Sequence, residues 1–162
     1  MSSKGQQIVA RLRFDMDDLA QNRRGELSDK QKDLLRKGGR NGAYFCVGLI
    51  VIFIPILWFA ANDLGQFIML QTISVVLLGL FAVMSVRIMS KDADAGVVES
   101  IVGRPSIKTK MKGGKIRRVF FIGEREFSDK WLHSLLNENA VYRAYYAPKS
   151  GKLVSIEPAR KS

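Results

Sequence analysis

The sequence predicts a membrane α-helical hairpin of two transmembrane helices, joined to a small C-terminal β-barrel-like α+β domain of the OB or SH3-like kind. Three observations carry this prediction: two charge-free apolar runs, a change of hydrophobic period after residue 95, and a charge distribution that avoids the middle of the chain. The 162 residues are 47% hydrophobic and 25% charged, and the mean hydropathy of zero hides a split. Lys and Arg number 10 in residues 1–41, none in 42–86 and 16 in 87–162, while Asp and Glu number 6, 1 and 8. The net charge of +11 therefore belongs to the two ends. A single soluble globule, a disordered polyelectrolyte and a secreted disulfide scaffold are all excluded by that split.

Residues 43–61 and 67–86 are 19 and 20 residues without a charge. Roughly 20 apolar residues in a helix cross a ~30 Å hydrocarbon core. Neither run alternates, which argues against membrane strands. A buried core hairpin would need other amphipathic segments to cover every face, and the rest of the chain supplies too few. The first run starts too far into the chain for a cleaved signal peptide. The hairpin is expected over residues 42–89, with spans at about 43–61 and 66–87 by the same length criterion. Tyr44 and Phe45 at one end, and Trp58, Phe59 and Phe67 at the other, suit the two interfaces.

Asn62-Asp63-Leu64-Gly65-Gln66 reads as a short polar turn, so the helices run antiparallel with both chain ends on one side. All 26 basic residues lie on that side, and the positive-inside rule then puts both termini in the cytoplasm, of a bacterial inner membrane. Pro55 cannot donate to Val51 and predicts a kink. Gln71, Thr72, Ser74, Gly79 and Ala82 are the polar and small residues within the second span. They could line a path or simply pack and bond between helices. No ionisable residue lies in either span, which argues against transport by this chain alone.

Residues 1–41 read as a cytoplasmic helical segment with two short helices. Ile8, Leu12, Met16 and Leu19 form one apolar stripe, broken by Asn22-Arg23-Arg24-Gly25. Ser28 is an N-cap with Gln31 at the capping-box position, and Gly38-Gly39 is expected to stop the second helix before the membrane. The stripe could dock a partner or the bilayer, or pack on the protein's own cytoplasmic domain.

Residues 90–162 are expected to form the cytoplasmic β-domain with one short helix, after a hinge at 90–95. Strands are predicted at 97–102, 107–112 and 115–122, the last two joined by a Gly113-Gly114 turn. Ser128 then caps a helix running to about Leu136, with Phe127 and Leu132 spaced as a hydrophobic staple. A second hairpin follows at 141–147 and 153–157, across Pro148-Lys149-Ser150-Gly151-Lys152. That order of elements is what suggests the small barrel.

The Asn-Arg-Arg-Gly-Glu-Leu-Ser-x-x-Gln stretch from Asn22, the membrane hairpin and the closing Tyr142-Arg143-Ala144-Tyr145-Tyr146-Ala147-Pro148-Lys149-Ser150-Gly151-Lys152-Leu153-Val154-Ser155-Ile156-Glu157 together resemble a family of uncharacterised bacterial two-helix membrane proteins. The resemblance implies the architecture and no activity. More loosely, helices followed by a small barrel are similar to NfeD-like proteins, which implies a partner-binding barrel.

Catalytic patterns are thin. The lone Cys46 falls in the first span, and the lone His133 sits on the short helix, so a four-ligand zinc site cannot be assembled. No nucleophile elbow is present, Gly113-Gly114-Lys115 lacks the phosphate-loop pattern, and Asp92 with Asp94 reads as a solvated hinge. The reading is therefore of a non-enzyme that needs no cofactor and no metal.

The informative polar feature is basic. Lys108, Lys110, Lys112, Lys115, Arg117 and Arg118 lie between Ile107 and Ile122 with no acid among them. They are the candidate site for lipid or a partner. A solvated strand edge or an anionic leaflet ranks first, a protein partner second, and nucleic acid last. The expected role is a non-catalytic accessory subunit or scaffold that presents this domain to a membrane complex or to further copies of itself. The alternative is a membrane-anchored regulatory module that binds anionic lipid headgroups or a small ligand.

Overall fold

The computed structural model describes residues 3–112, 115–128 and 130–159, apart from the side chains at 3, 4, 110, 112, 115–118, 130 and 133. The chain divides into two compact units, Lys32–Asp94 on one hand and Met1–Gln31 with Ala95–Ser162 on the other. The N-terminal segment up to Gln31 thus clusters with the β-domain, and does not stand as a separate 1–41 domain.

The helical unit is built on α3 (Asp29–Ala60) and α4 (Leu64–Ala95), each 32 residues long. At about 1.5 Å per residue each is near 48 Å, well beyond the ~30 Å hydrocarbon core. The two pair as an antiparallel hairpin. At its closed end Asp63 Oδ1 accepts from Gln66 N at 2.8 Å, Gln66 Oε1 accepts from Asn62 N at 2.8 Å, and the Trp58 and Phe67 rings meet edge to face at 5.1 Å. At its open end Arg36 donates to Asp94 at 2.9 Å. Almost none of the apolar window of either helix is buried. A core helix of a soluble protein would be mostly covered, so these two helices are long and apolar enough to cross a membrane and have the exposure that lipid contact requires.

Two expected breaks are absent. Helix α3 runs straight through Gly38-Gly39, and α4 runs through residues 90–95 where a hinge was expected. A mid-helix glycine costs only about 1 kcal/mol against alanine. Gly39 recovers this by letting the helices touch, since a Cβ there would meet Val86 Cα at 3.2 Å and Met89 Cβ at 3.4 Å. Asp92 and Asp94 consequently lie in the last turns of a helix, with Asp92 fully buried. The hydroxyls of Thr72 and Ser74 bond their own helix, at Ile68 O and Leu70 O, and not the facing helix. Pro55 lies inside α3 without ending it.

In the other unit the single predicted N-terminal stripe is two helices, α1 (Ser3–Leu12) and α2 (Met16–Arg23). Arg13 takes φ 57°, a left-handed conformation uncommon outside glycine, and ends α1. Asp15 then starts α2 with a reciprocal capping box to Asp18, the two backbone bonds measuring 2.8 and 2.9 Å. The box at the start of α3 forms as expected, with Gln31 N on Ser28 Oγ and Ser28 N on Gln31 Oε1, both 3.2 Å. A short antiparallel clasp ties residues before α3 to residues after α4. Leu27 N donates to Gly96 O and Val98 N to Gly25 O, each at 2.8 Å.

The strands are β1 (Glu99–Gly103), β2 (Pro105–Lys112), β3 (Lys115–Ile122), β4 (Arg125–Phe127), β5 (Tyr142–Tyr146) and β6 (Leu153–Pro158), with α5 (Lys130–His133) between β4 and β5. They form two separate antiparallel sheets, ordered β1-β5-β6 and β2-β3-β4. No closed barrel forms among the described residues. The chain changes sheet at Arg104, between β1 and β2, where Gly103 passes so close to Gly123 that a Cβ would fall on its backbone. Phe120, Ile122 and Phe127 from one sheet pack with Ala144, Tyr146, Leu153 and Ile156 from the other, and with Leu132 and Leu136. Ile8 and Leu12 of α1 lean on the same cluster, so part of the predicted stripe covers the protein's own domain. The expected helix to Leu136 is only the four residues of α5, and β4 was not anticipated. The Gly113-Gly114 turn lies outside the described residues.

Candidate functional site

The candidate basic site is the β2–β3 hairpin. Its register pairs Lys108 with Val119, Thr109 with Arg118, Lys110 with Arg117, Met111 with Ile116 and Lys112 with Lys115. Directly paired residues share a face of the sheet, and alternate positions take opposite faces. Lys108, Lys110, Lys112, Lys115 and Arg117 therefore occupy one face by register, and Arg118 the other. The sixth cation does not join the five. Of the six side chains only Lys108 is among those described; it is exposed, with Nζ 5.1 Å from the Phe121 ring centre. On the opposite face Met111 is 77% exposed and Ile107 43%, so the hairpin carries uncovered apolar groups behind its charge. Strand β2 is the edge of its sheet, and β3 is central only at Phe120, Phe121 and Ile122, where β4 pairs with it.

A second polar assembly joins α2 to β6, and sequence reasoning missed it. Asn22 Nδ2 donates to Ser155 Oγ at 2.6 Å, with both residues buried. Arg23 Nε and Nη2 donate to the Glu157 carboxylate, and Tyr145 donates to Glu157 Oε1 at 2.7 Å. The stretch from Asn22 and the closing stretch from Tyr142 to Glu157 are thus in contact. Burial, then the bond to Glu157, raise the Tyr145 hydroxyl above its ordinary value and keep it a donor. Burial alone would push Glu157 up, but the bonds from Arg23 and Tyr145 outweigh it and hold the carboxyl low. The bond from Lys30, then that from Asp18 N, likewise hold Asp15 low.

Above their unfolded pKa values, near ~4, Glu157 stabilises the dock of α2 on β6 and Asp15 stabilises the start of α2 and its pairing with Lys30, and both contributions are lost as pH falls through the lower folded values. Acidification below about pH 4 should therefore loosen α1 and α2 from the β-domain. Arg11 lies 5.1 Å over the Trp131 ring, so Trp131 fluorescence in a Trp58→Phe background reads the loosening. A signal flat down to pH 3 would show that these carboxyls do not hold the dock.

No group of three or more His, Cys, Asp or Glu able to hold a metal is present among the described residues. Cys46 is buried in α3, and the His133 side chain lies outside the described residues. Compared with known proteins, the chain matches no family model, no curated protein and no solved structure.

Proposed function

We propose that this chain is an integral membrane protein, its termini in the cytoplasm of a bacterial inner membrane, acting as a non-catalytic accessory subunit or scaffold. The observation that carries the reading is the exposure of both apolar windows in helices of 32 residues. The confinement of all 26 basic residues to the terminal side supports the orientation. Two helices cover little of each other's surface, which leaves faces such as Phe59, Leu77 and Phe81 for lipid or for further helices. That surplus is why a partner subunit or a second copy belongs in the reading. Purification in mild detergent followed by mass determination tests it. A defined complex is expected, and a monodisperse monomer with nothing bound would sink the scaffold role.

The alternative, an anionic-lipid module, is favoured by one specific observation: the register gathers five cations on one hairpin face. A tethered domain is held near the leaflet, where each close cation contributes ~1 kcal/mol before screening.

A further inference from the structure

The N-terminal helices and the sheet they dock on do not close completely. Between them lies a half-open cavity of about 1170 Å³, walled by Ile8, Val9 and Leu19 on the helical side and by Leu136, Tyr142 and Ile156 on the other. Ligand pockets are clefts or cavities that commonly run to about 300–1,000 Å³. Specific contacts tie the helical side to the sheet. The Asn22–Ser155 and Arg23–Glu157 bonds pin α2, Arg11 stacks on Trp131, and the turn at Arg13 sets α1 apart from α2. The roof is thus preformed.

The chemistry of the walls selects the occupant. They are mainly apolar, with Asp15, Arg23, Asn137, Glu138, Tyr142 and Glu157 as the polar minority. Of the charged lining groups, Asp15, Arg23 and Glu138 are open to solvent, and Arg23 pairs with the more covered Glu157. A long apolar chain with its polar end left at the rim fits that pattern. The proposed membrane anchor, on which this inference rests, keeps the cavity tethered to a reservoir of such chains.

We propose that this cavity binds the hydrocarbon chain of a membrane amphiphile, with α1 and α2 as its roof. The test uses the full chain in lipid nanodiscs. One arm contains palmitic acid with a diazirine in its chain, and the other contains phosphatidylcholine carrying the same chain. After illumination, adducts are mapped by mass spectrometry. Adducts are expected on residues 5–23 and 135–158 as well as on the spans, and to fall to background in the cavity for Val9→Trp but not Val9→Ala. Intact hydrogen-exchange protection of β6 in Val9→Trp shows that the domain still folds. Labelling in the first arm alone identifies a free amphiphile as the ligand, and labelling in both identifies any bilayer acyl chain. Adducts confined to the spans, or undiminished by Val9→Trp, overturn the cavity proposal and leave the anchor standing. Cavity adducts without span adducts overturn the anchor instead.

Discussion

Leu77→Arg should block membrane insertion of α4. Leu77 lies in the middle of that helix and is 62% exposed. Arginine at the centre of a spanning helix costs about 2.5–3.5 kcal/mol on insertion scales, and the favourable leucine contribution is lost as well. A loss near 3 kcal/mol is about a hundredfold in the inserted fraction. The same change on an exposed helix in water falls within about ±0.5 kcal/mol, so the two environments give results far apart. Glycosylation reporters fused beyond each helix read the inserted fraction directly. Ile88→Arg is the control, because Ile88 adjoins Arg87 beyond the apolar span and a long cation there can reach the interface. If Leu77→Arg inserts as well as the unaltered chain, or leaves a folded protein in the soluble fraction, the hairpin is not in lipid.

Much of this architecture was legible because lipid and hairpins impose simple rules. Apolar runs of spanning length mark α3 and α4, and the Ser28–Gln31 box marks the start of α3 at Asp29. The strands at Lys115–Ile122 and Leu153–Pro158 fall within a residue of the ranges that the turn residues between them predict. What stayed hidden was set by contacts distant in sequence. Nothing local shows that Gly38-Gly39 will be spanned, since the reason is the approach of Val86 from the facing helix. The three residues of β4 are too short for a period, and form a strand because β3 offers Phe121 and Ile122 to pair with Glu126 and Arg125. Asn22 and Arg23 looked like a helix break, and they are one, but they also bind Ser155 and Glu157 at separations of 133 and 134 residues. The two-sheet arrangement was misread as a barrel because element order alone does not say which edges pair. For the basic site, alternation was enough to place Lys108, Lys110 and Lys112 together, while the separation of Arg118 needed the register of the hairpin.

Replacing Lys108, Lys110 and Lys112 together by glutamate should release the hairpin from an anionic leaflet. Three cations at ~1 kcal/mol each amount to about 3 kcal/mol, or a hundredfold in the bound fraction, before the added repulsion is counted. The competing explanation is that lysines on an edge strand prevent other strands from pairing with it. That reading covers both arms of the hairpin, because β4 pairs with β3 only at Phe120, Phe121 and Ile122 and leaves the stretch with Lys115, Arg117 and Arg118 without a second strand neighbour among the described residues. Glutamate also keeps an edge charged, so the triple substitution preserves edge protection while reversing any attraction to lipid. The readout is the rate at which trypsin cuts the hairpin at Lys115, Arg117 and Arg118 in full-length protein held in nanodiscs. In the unaltered chain, anionic lipid should slow cleavage relative to neutral lipid, and the protection should fade as salt shortens the ~8 Å screening length of physiological buffer. The triple variant should be cut equally fast in both. Equal cleavage of the unaltered chain in anionic and neutral discs would show that the five-cation face does not meet the bilayer, and would leave a protein partner as its counterpart.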